Sequence, residues 1–245
     1  MNEALAMSHL NLIQGRRPAV HCLTNTVVQS LTANMLLAVG AIPSMSSDIT
    51  EVSDFTSRSQ ALLINLGTLD QARKDAIQAA ITSAKANNIP WILDPVLIDR
   101  APARLVYAQE LIAQEPTVVR GNVGEIAALG ADPKSLARDS RSIVAVTGAT
   151  DFITDGRRET ELRVGHELMS RVTGIGCAGT AVIAAFCAVA GSAYRFDAVV
   201  SGLYILGKTG EIAAQKAPGP GAFAATILDE IYFTGQSSSD EGQPK

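Results

Sequence analysis

The sequence predicts an α/β protein built on a central, mostly parallel sheet with helices on both faces, giving three layers. Three observations point there. Short β-branched runs alternate with amphipathic helical stretches, the runs are mostly unbroken apolar segments, as strands covered on both faces are, and polar residues recur directly after them. With 245 residues, 47% of them hydrophobic, the chain can bury a sizeable core.

The elements follow in order. Ala19–Leu23 is a strand leading into a helix over Val27–Val39, Ala61–Leu66 precedes a helix over Gln71–Ala86, and Pro90–Leu93 precedes one over Ala103–Ala113. Thr117–Arg120 followed by Val123–Leu129, and Ser142–Val146 running into Thr147-Gly148, continue the rhythm. Between Asp151 and Arg163 the pattern changes, and Asp155-Gly156 is a type I′ turn signal between two strand-like arms, which predicts a hairpin at the sheet edge. Only helices follow: Ala178–Ala190, Phe196–Lys216, and Phe223–Tyr232 after the breaker Pro218-Gly219-Pro220-Gly221. One domain over residues 1–234 is expected, with a disordered tail over 235–245, rich in Ser, Gly and charge.

Composition narrows the partners. A net charge of -4 and a pI near 5.4, without a long basic run, argue against nucleic acid or an anionic membrane and for a small ligand. The apolar run Ile175–Ala190 is shorter than the roughly 20 residues of a membrane span. The first residues, Met1 to Gln14, have no secretory h-region, so a cytoplasmic location is expected. Cys22, Cys177 and Cys187 form no CxxC pair, and free thiols are expected.

Chemistry concentrates in Val172-Thr173-Gly174-Ile175-Gly176-Cys177, at the mouth of the apolar helix that begins at Ala178. The first N–H groups of a helix lack partners and carry the positive dipole end, so glycines there let an anion approach the backbone. The alternative is a tight turn in which the glycines serve geometry alone. A doubly wound sheet binds ligands at the carboxyl ends of its strands. Asn25, Asn65-Leu66-Gly67-Thr68, Asp94, Arg120-Gly121-Asn122 with Glu125, and Thr147-Gly148 all occupy such ends. Each alone also reads as a turn or cap residue, and Asn122 with Glu125 fits a capping box. Read functionally, Asp94 and Glu125 are hard oxygen donors for Mg²⁺, and Arg120 is a planar donor for phosphates. A thiol at a helix N-terminus can have a lowered pKa, so Cys177 is either a weak base, an orienting group or a small buried residue. Met45 is either a gap filler or part of an apolar pocket for a heteroaromatic ring.

In this order, His21-Cys22-Leu23-Thr24-Asn25, Ile64-Asn65-Leu66-Gly67-Thr68, Leu93-Asp94-Pro95-Val96, Arg120-Gly121-Asn122 with Glu125-Ile126, Val146-Thr147-Gly148, Thr154-Asp155-Gly156 and the glycine-cysteine segment resemble the hydroxyethylthiazole kinases of thiamine salvage, over roughly Arg17 to Phe233. The resemblance implies a ribokinase-like fold and transfer of the γ-phosphoryl of ATP to the hydroxyl of 4-methyl-5-(2-hydroxyethyl)thiazole. It also implies a homotrimer with the active site at the subunit interface. Carried onto this chain, Asn25 and Met45 meet the thiazole, Met45 from the neighbouring subunit, with Gly67 and Thr68 on the same side. Arg120 and Thr147 contact ATP, Asp94 and Glu125 serve Mg²⁺, and Gly174 and Gly176 frame an anion hole. Cys177 stands where ribokinase-like relatives usually carry a catalytic aspartate.

Two departures are visible. Ile175 replaces the family's usual second threonine, and only Ile126 to Ser142 separate Glu125 from the next strand, where a longer segment with an extra helix is usual. The competing readings are a kinase of another small heteroaromatic alcohol such as a pyrimidine or pyridoxine, nucleotide-dependent dehydration of damaged nicotinamide cofactors, and a ligand-binding relative without turnover. The first two normally require the aspartate that Cys177 replaces.

Overall fold

A computed structural model describes residues 2–130 and 132–236. Eight strands form one sheet: β1 (Ala19–Leu23), β2 (Ile42–Ser44), β3 (Ala61–Asn65), β4 (Trp91–Asp94), β5 (Val118–Asn122), β6 (Ile143–Thr147), β7 (Asp151–Thr154) and β8 (Glu159–Leu162). Their order is β2-β1-β3-β4-β5-β6-β7-β8. The first six run parallel, and β7 and β8 are antiparallel at one edge.

Ten α-helices cover the sheet: α1 (Glu3–Arg16), α2 (Gln29–Val39), α3 (Val52–Ser57), α4 (Gln71–Ala86), α5 (Pro102–Ile112), α6 (Val123–Ala128), α7 (Pro133–Ser140), α8 (Ile175–Val189), α9 (Arg195–Lys216) and α10 (Pro220–Gln236). The period of two along a strand assigns them to faces. Ala61 and Leu63 of β3 pack with α1, α2, α8, α9 and α10 in one core, while Leu62 and Ile64 pack with α3 to α7 in the other. The expected three-layer α/β/α architecture is therefore present.

Most expected elements match within two or three residues, and α4 matches at both ends. Asp70 accepts from the Arg73 N–H at 2.8 Å as its N-cap, and Ala76, Ile77, Ala80, Ile81 and Ala84 form the buried stripe that holds the helix on the sheet. The edge hairpin is also present, but with a different turn. Thr154 pairs with Glu159, so four residues form the loop, and Asp155 Oδ1 accepts the N–H groups of Arg157 and Arg158. The Asp155 N–H also donates to the Arg158 carbonyl at 3.3 Å, so the tip is Gly156-Arg157, and Gly156 at φ +84° lacks the second positive φ at Asp155 that the expected I′ turn requires. At the C-terminal end, α10 runs to Gln236, so residues 235 and 236 are helical rather than part of a tail; 237–245 lie outside the described residues.

Functionally the important feature is the gap between β1 and β3. The chain leaves β1 through α2 on one face toward β2, and leaves β3 through α4 on the other face toward β4. Strand ends at such a reversal diverge and leave a crevice. Helix α8 runs under the sheet with twelve buried residues, and its first turn opens beside that crevice.

Candidate active site

The crevice begins with three amide and carboxylate groups in a row. Asn25 follows β1, and its Nδ2 donates to Asn65 Oδ1 at 3.0 Å. Asn65 ends β3 and is fully buried; its Oδ1 also accepts the Gly67 N–H at 2.9 Å, and its Nδ2 donates to Asp94 Oδ2 at 2.8 Å. Asp94, at the end of β4, takes a second bond on that oxygen from the Thr180 hydroxyl of α8 at 3.1 Å. Burial drives the Asp94 carboxyl above its ordinary range and Glu125 pushes the same way, while Arg120 and the two hydrogen bonds oppose the rise.

Glu125 realises the capping box at the start of α6. Asn122 Oδ1 accepts the Glu125 N–H at 2.9 Å, and Glu125 Oε2 accepts the Asn122 N–H at 2.8 Å. Its other oxygen accepts the Leu97 N–H at 2.8 Å, across from the segment after β4. Each oxygen keeps a second lone pair, so structural use of this carboxylate does not exhaust it.

Gly174 caps α8 at φ +91°, where an added Cβ would lie 2.6 Å from Val28 Cγ1, so both conformation and space require glycine. At Gly176 the constraint is the close approach of Arg120, whose Nη1 lies 3.2 Å from where a Cβ would stand. The Arg120 guanidinium therefore lies against the first turn of α8, and its buried Nε has no hydrogen-bond partner among the described residues. A planar donor left unpaired beside a helix N-terminus is arranged for an anion. Thr147 ends β6 and donates to the Gly121 carbonyl at 3.3 Å.

Asp94, Arg120, Glu125, Thr147, Gly174, Gly176 and Cys177 line one cavity of about 730 Å³. Apolar Val164 and Met169 with Leu203 and Leu206 of α9, together with polar His166, Glu167 and Ser170, complete its lining. Asn25 meets this group from the crevice side, with Nδ2 3.8 Å from Cys177 Sγ, and Gly67 and Thr68 stand behind Asn25. Met45 is not brought to them within the chain. It follows β2, three strands along the sheet from β4 and Asp94, and packs against the core on the α8 side.

Of the readings open for Cys177, the thiol of lowered pKa is not the one the environment favours. Burial and the neighbouring Asp94 charge push it up to about 12, outweighing the Asn65 hydrogen bond and Arg120. Cys177 is therefore a neutral thiol at physiological pH. At pH 8, native protein should react with Ellman's reagent on the order of 10²-fold more slowly than a free thiol, because thiolate scarcity exceeds the gain in nucleophilicity of a more basic sulfur. The two other cysteines are buried, and urea should release all three thiols. A fast single-thiol phase in native protein would contradict this environment.

Three residues of the site escaped the sequence reading. Thr180 and Arg73 lie inside helices rather than at strand ends, and Asp151, which lines the cavity and accepts the Gly148 N–H at 3.0 Å, was read only as the start of the hairpin. Arg73 carried a usable signal: a cation in the first turn of a helix opposes the dipole. Thr180 carried a weaker one, a hydroxyl in an otherwise apolar run.

A mostly parallel sheet with a carboxylate and an arginine at its strand ends, facing a glycine-capped helix mouth, is the arrangement of the ribokinase-like fold. A ribokinase-like superfamily protein from Enterococcus faecalis shares this fold at a TM-score of 0.71 with 11% identity, over 96% of this chain and 95% of that one. The chain belongs to the hydroxyethylthiazole kinase family, whose model matches residues 10–134 and 130–236. It is 42% identical to the hydroxyethylthiazole kinase of Serratia proteamaculans, over 94% of this chain and 93% of that protein. The structure of a hydroxyethylthiazole kinase from Pyrococcus horikoshii superposes at a TM-score of 0.90 with 36% identity, covering 94% of this chain and 93% of that one.

Proposed function

We propose that the chain transfers the γ-phosphoryl of ATP to the hydroxyl of 4-methyl-5-(2-hydroxyethyl)thiazole. The observation that carries this reading is the half-buried Arg120 guanidinium, its buried Nε unpaired and its Nη1 pressed against the first turn of α8. Charge stabilisation and alignment are what phosphoryl transfer chiefly requires. Arg120 and the N–H groups at Gly174 and Gly176 hold the phosphates, and Thr147 contacts the nucleotide.

Asp94 and Glu125 fit a hydrated Mg²⁺. Asp94 Oδ2 takes two hydrogen bonds, and Arg120 and those bonds do not offset the burial of its charge. No cluster of three metal-ligating side chains occurs among the described residues, as suits an ion that takes its other ligands from phosphate and water. Mg²⁺ neutralises developing charge on the phosphates when bound.

Asn25, Gly67 and Thr68 face the thiazole alcohol, and Met45 comes from a second copy in a homotrimer. Cys177, beside Asn25, orients the hydroxyl as a neutral group instead of removing its proton. The loose transition state tolerates this, because the alcohol need not be ionised before the phosphorus–oxygen bond to the leaving group stretches. No helix among the described residues is long and apolar enough to cross a membrane, and we place the activity in the cytoplasm.

The test is ATP consumption with Mg²⁺ and hydroxyethylthiazole, hydroxymethylpyrimidine or pyridoxine supplied separately, with product esters identified by mass. Phosphorylation of the thiazole alone is expected. Transfer to another alcohol would reassign the substrate, and binding without transfer to any of them would make the chain a ligand-binding relative.

A further inference from the structure

We infer that Arg73 is a positioning residue for the alcohol side of the site: its guanidinium ties the ends of β1 and β3 to the Gly67-Thr68 loop and so fixes where Asn25 stands. This rests on the phosphotransfer reading above. Arg73 lies in the first turn of α4 and is 8% exposed. Its Nη1 donates to the Gly67 carbonyl at 2.6 Å, the Thr68 carbonyl at 3.1 Å and Thr68 Oγ1 at 2.9 Å. Nη2 donates to the Asn65 carbonyl at 3.2 Å and the Leu23 carbonyl at 3.4 Å.

A buried cation is costly unless its donors are satisfied, and here they are satisfied by carbonyls of two strands and one loop. Placement near a helix N-terminus works against α4 itself. The bonds reach Asn25 by contact. An added Cβ on Gly67 would lie 2.7 Å from Asn25 Cβ, so the loop is pressed onto that side chain. Thr68, held at φ +45°, accepts the Thr26 N–H on its Oγ1 at 3.2 Å, immediately after Asn25. None of the five Arg73 bonds goes to Arg120, Glu125 or the mouth of α8. A lysine carries the charge but not the planar fork that spans these acceptors.

Arg73→Lys and Arg73→Gln should be compared with the wild type for initial rates with thiazole varied at saturating ATP, then with ATP varied at saturating thiazole, alongside thermal unfolding. The expected result is a KM for the thiazole alcohol raised about tenfold or more while the KM for ATP stays within about twofold, in a variant that still unfolds cooperatively. Lysine should be the milder change. Equal changes in both KM values, no change in either, or failure of both variants to fold would overturn the inference and leave Arg73 a purely structural residue. A wild type that transfers to no alcohol overturns the phosphotransfer reading and this inference with it, whereas an active wild type with insensitive variants overturns this inference alone.

Discussion

Asp94→Asn should lower turnover by about 10²–10³-fold while leaving the protein at least as stable as the wild type. The two effects have one origin. Asp94 is 1% exposed and its folded pKa lies above the ordinary value, chiefly because burial penalises the charge. A raised folded pKa means that the native state binds the proton more tightly than the unfolded chain does. The associated stabilisation is complete below the ordinary carboxylate pKa and is lost as pH rises through the folded value. Above the folded value the ionised carboxylate is therefore a net cost to the fold. Asparagine keeps an oxygen for Asn65 and Thr180 and removes that charge. Tm should rise by about 2–4 °C for each kcal/mol of relieved penalty in a chain of this size, and the gain should vanish in acid. Calorimetry at pH 7.5 and pH 4 with matched ATP turnover makes the comparison. A destabilised variant at pH 7.5 would show that the carboxylate is compensated within the apo fold.

Asn65→Ala should damage both stability and activity. Its side chain serves Asn25, Gly67 and Asp94, and removal leaves three groups short of a partner. An unsatisfied buried polar group costs about 1–3 kcal/mol, and water entering the vacated space offsets part of it, so a net loss of about 3–5 kcal/mol is expected. Turnover should fall further than the folded fraction does, because Asn25 and Asp94 lose their common support. The control is Asn65→Asp, which keeps the shape but replaces the donor facing Asp94 with a second carboxylate. It should be at least as impaired as alanine in activity at pH 8. Urea unfolding together with rates per folded molecule checks both. A well-folded, active Asn65→Ala would mean that the three neighbours hold their places without it.

How far the sequence carried these expectations depended on where each residue lies. Unbroken runs such as Ala61–Leu66 and the capped, striped α4 declare themselves through local pattern. The edge strand β2 does not, because it is three residues long and contains Pro43, which an edge position tolerates. Helices α1, α3 and α7 were also unassigned. For α7 the cues were present, with Asp132 accepting from Lys134 and Ser135 and Pro133 in the first turn, but the segment had been weighed for its length rather than its caps. Within the site, Asp94, Arg120 and Glu125 were legible because strand ends in such sheets collect ligand-binding residues. Arg73 and Thr180 were not, since their partners lie on other elements and no local spacing announces them. The neutral state of Cys177 was not legible for a related reason: the helix end is written in the sequence, whereas the burial and the Asp94 charge come from tertiary packing.

Helix α8 joins the interior of the protein to its chemistry. Its first turn presents Gly174, Gly176 and Cys177 to the cavity, while Ala181, Ala184, Ala185 and Phe186 farther along are fully buried. The wall proposed to receive the phosphates is thus continuous with a fully buried stretch of the same helix, which leaves it little room to rearrange. A methyl group added at Ala185 or trimmed from Val182 should therefore register in turnover as well as in Tm, which makes the interior of this helix a remote handle on the site.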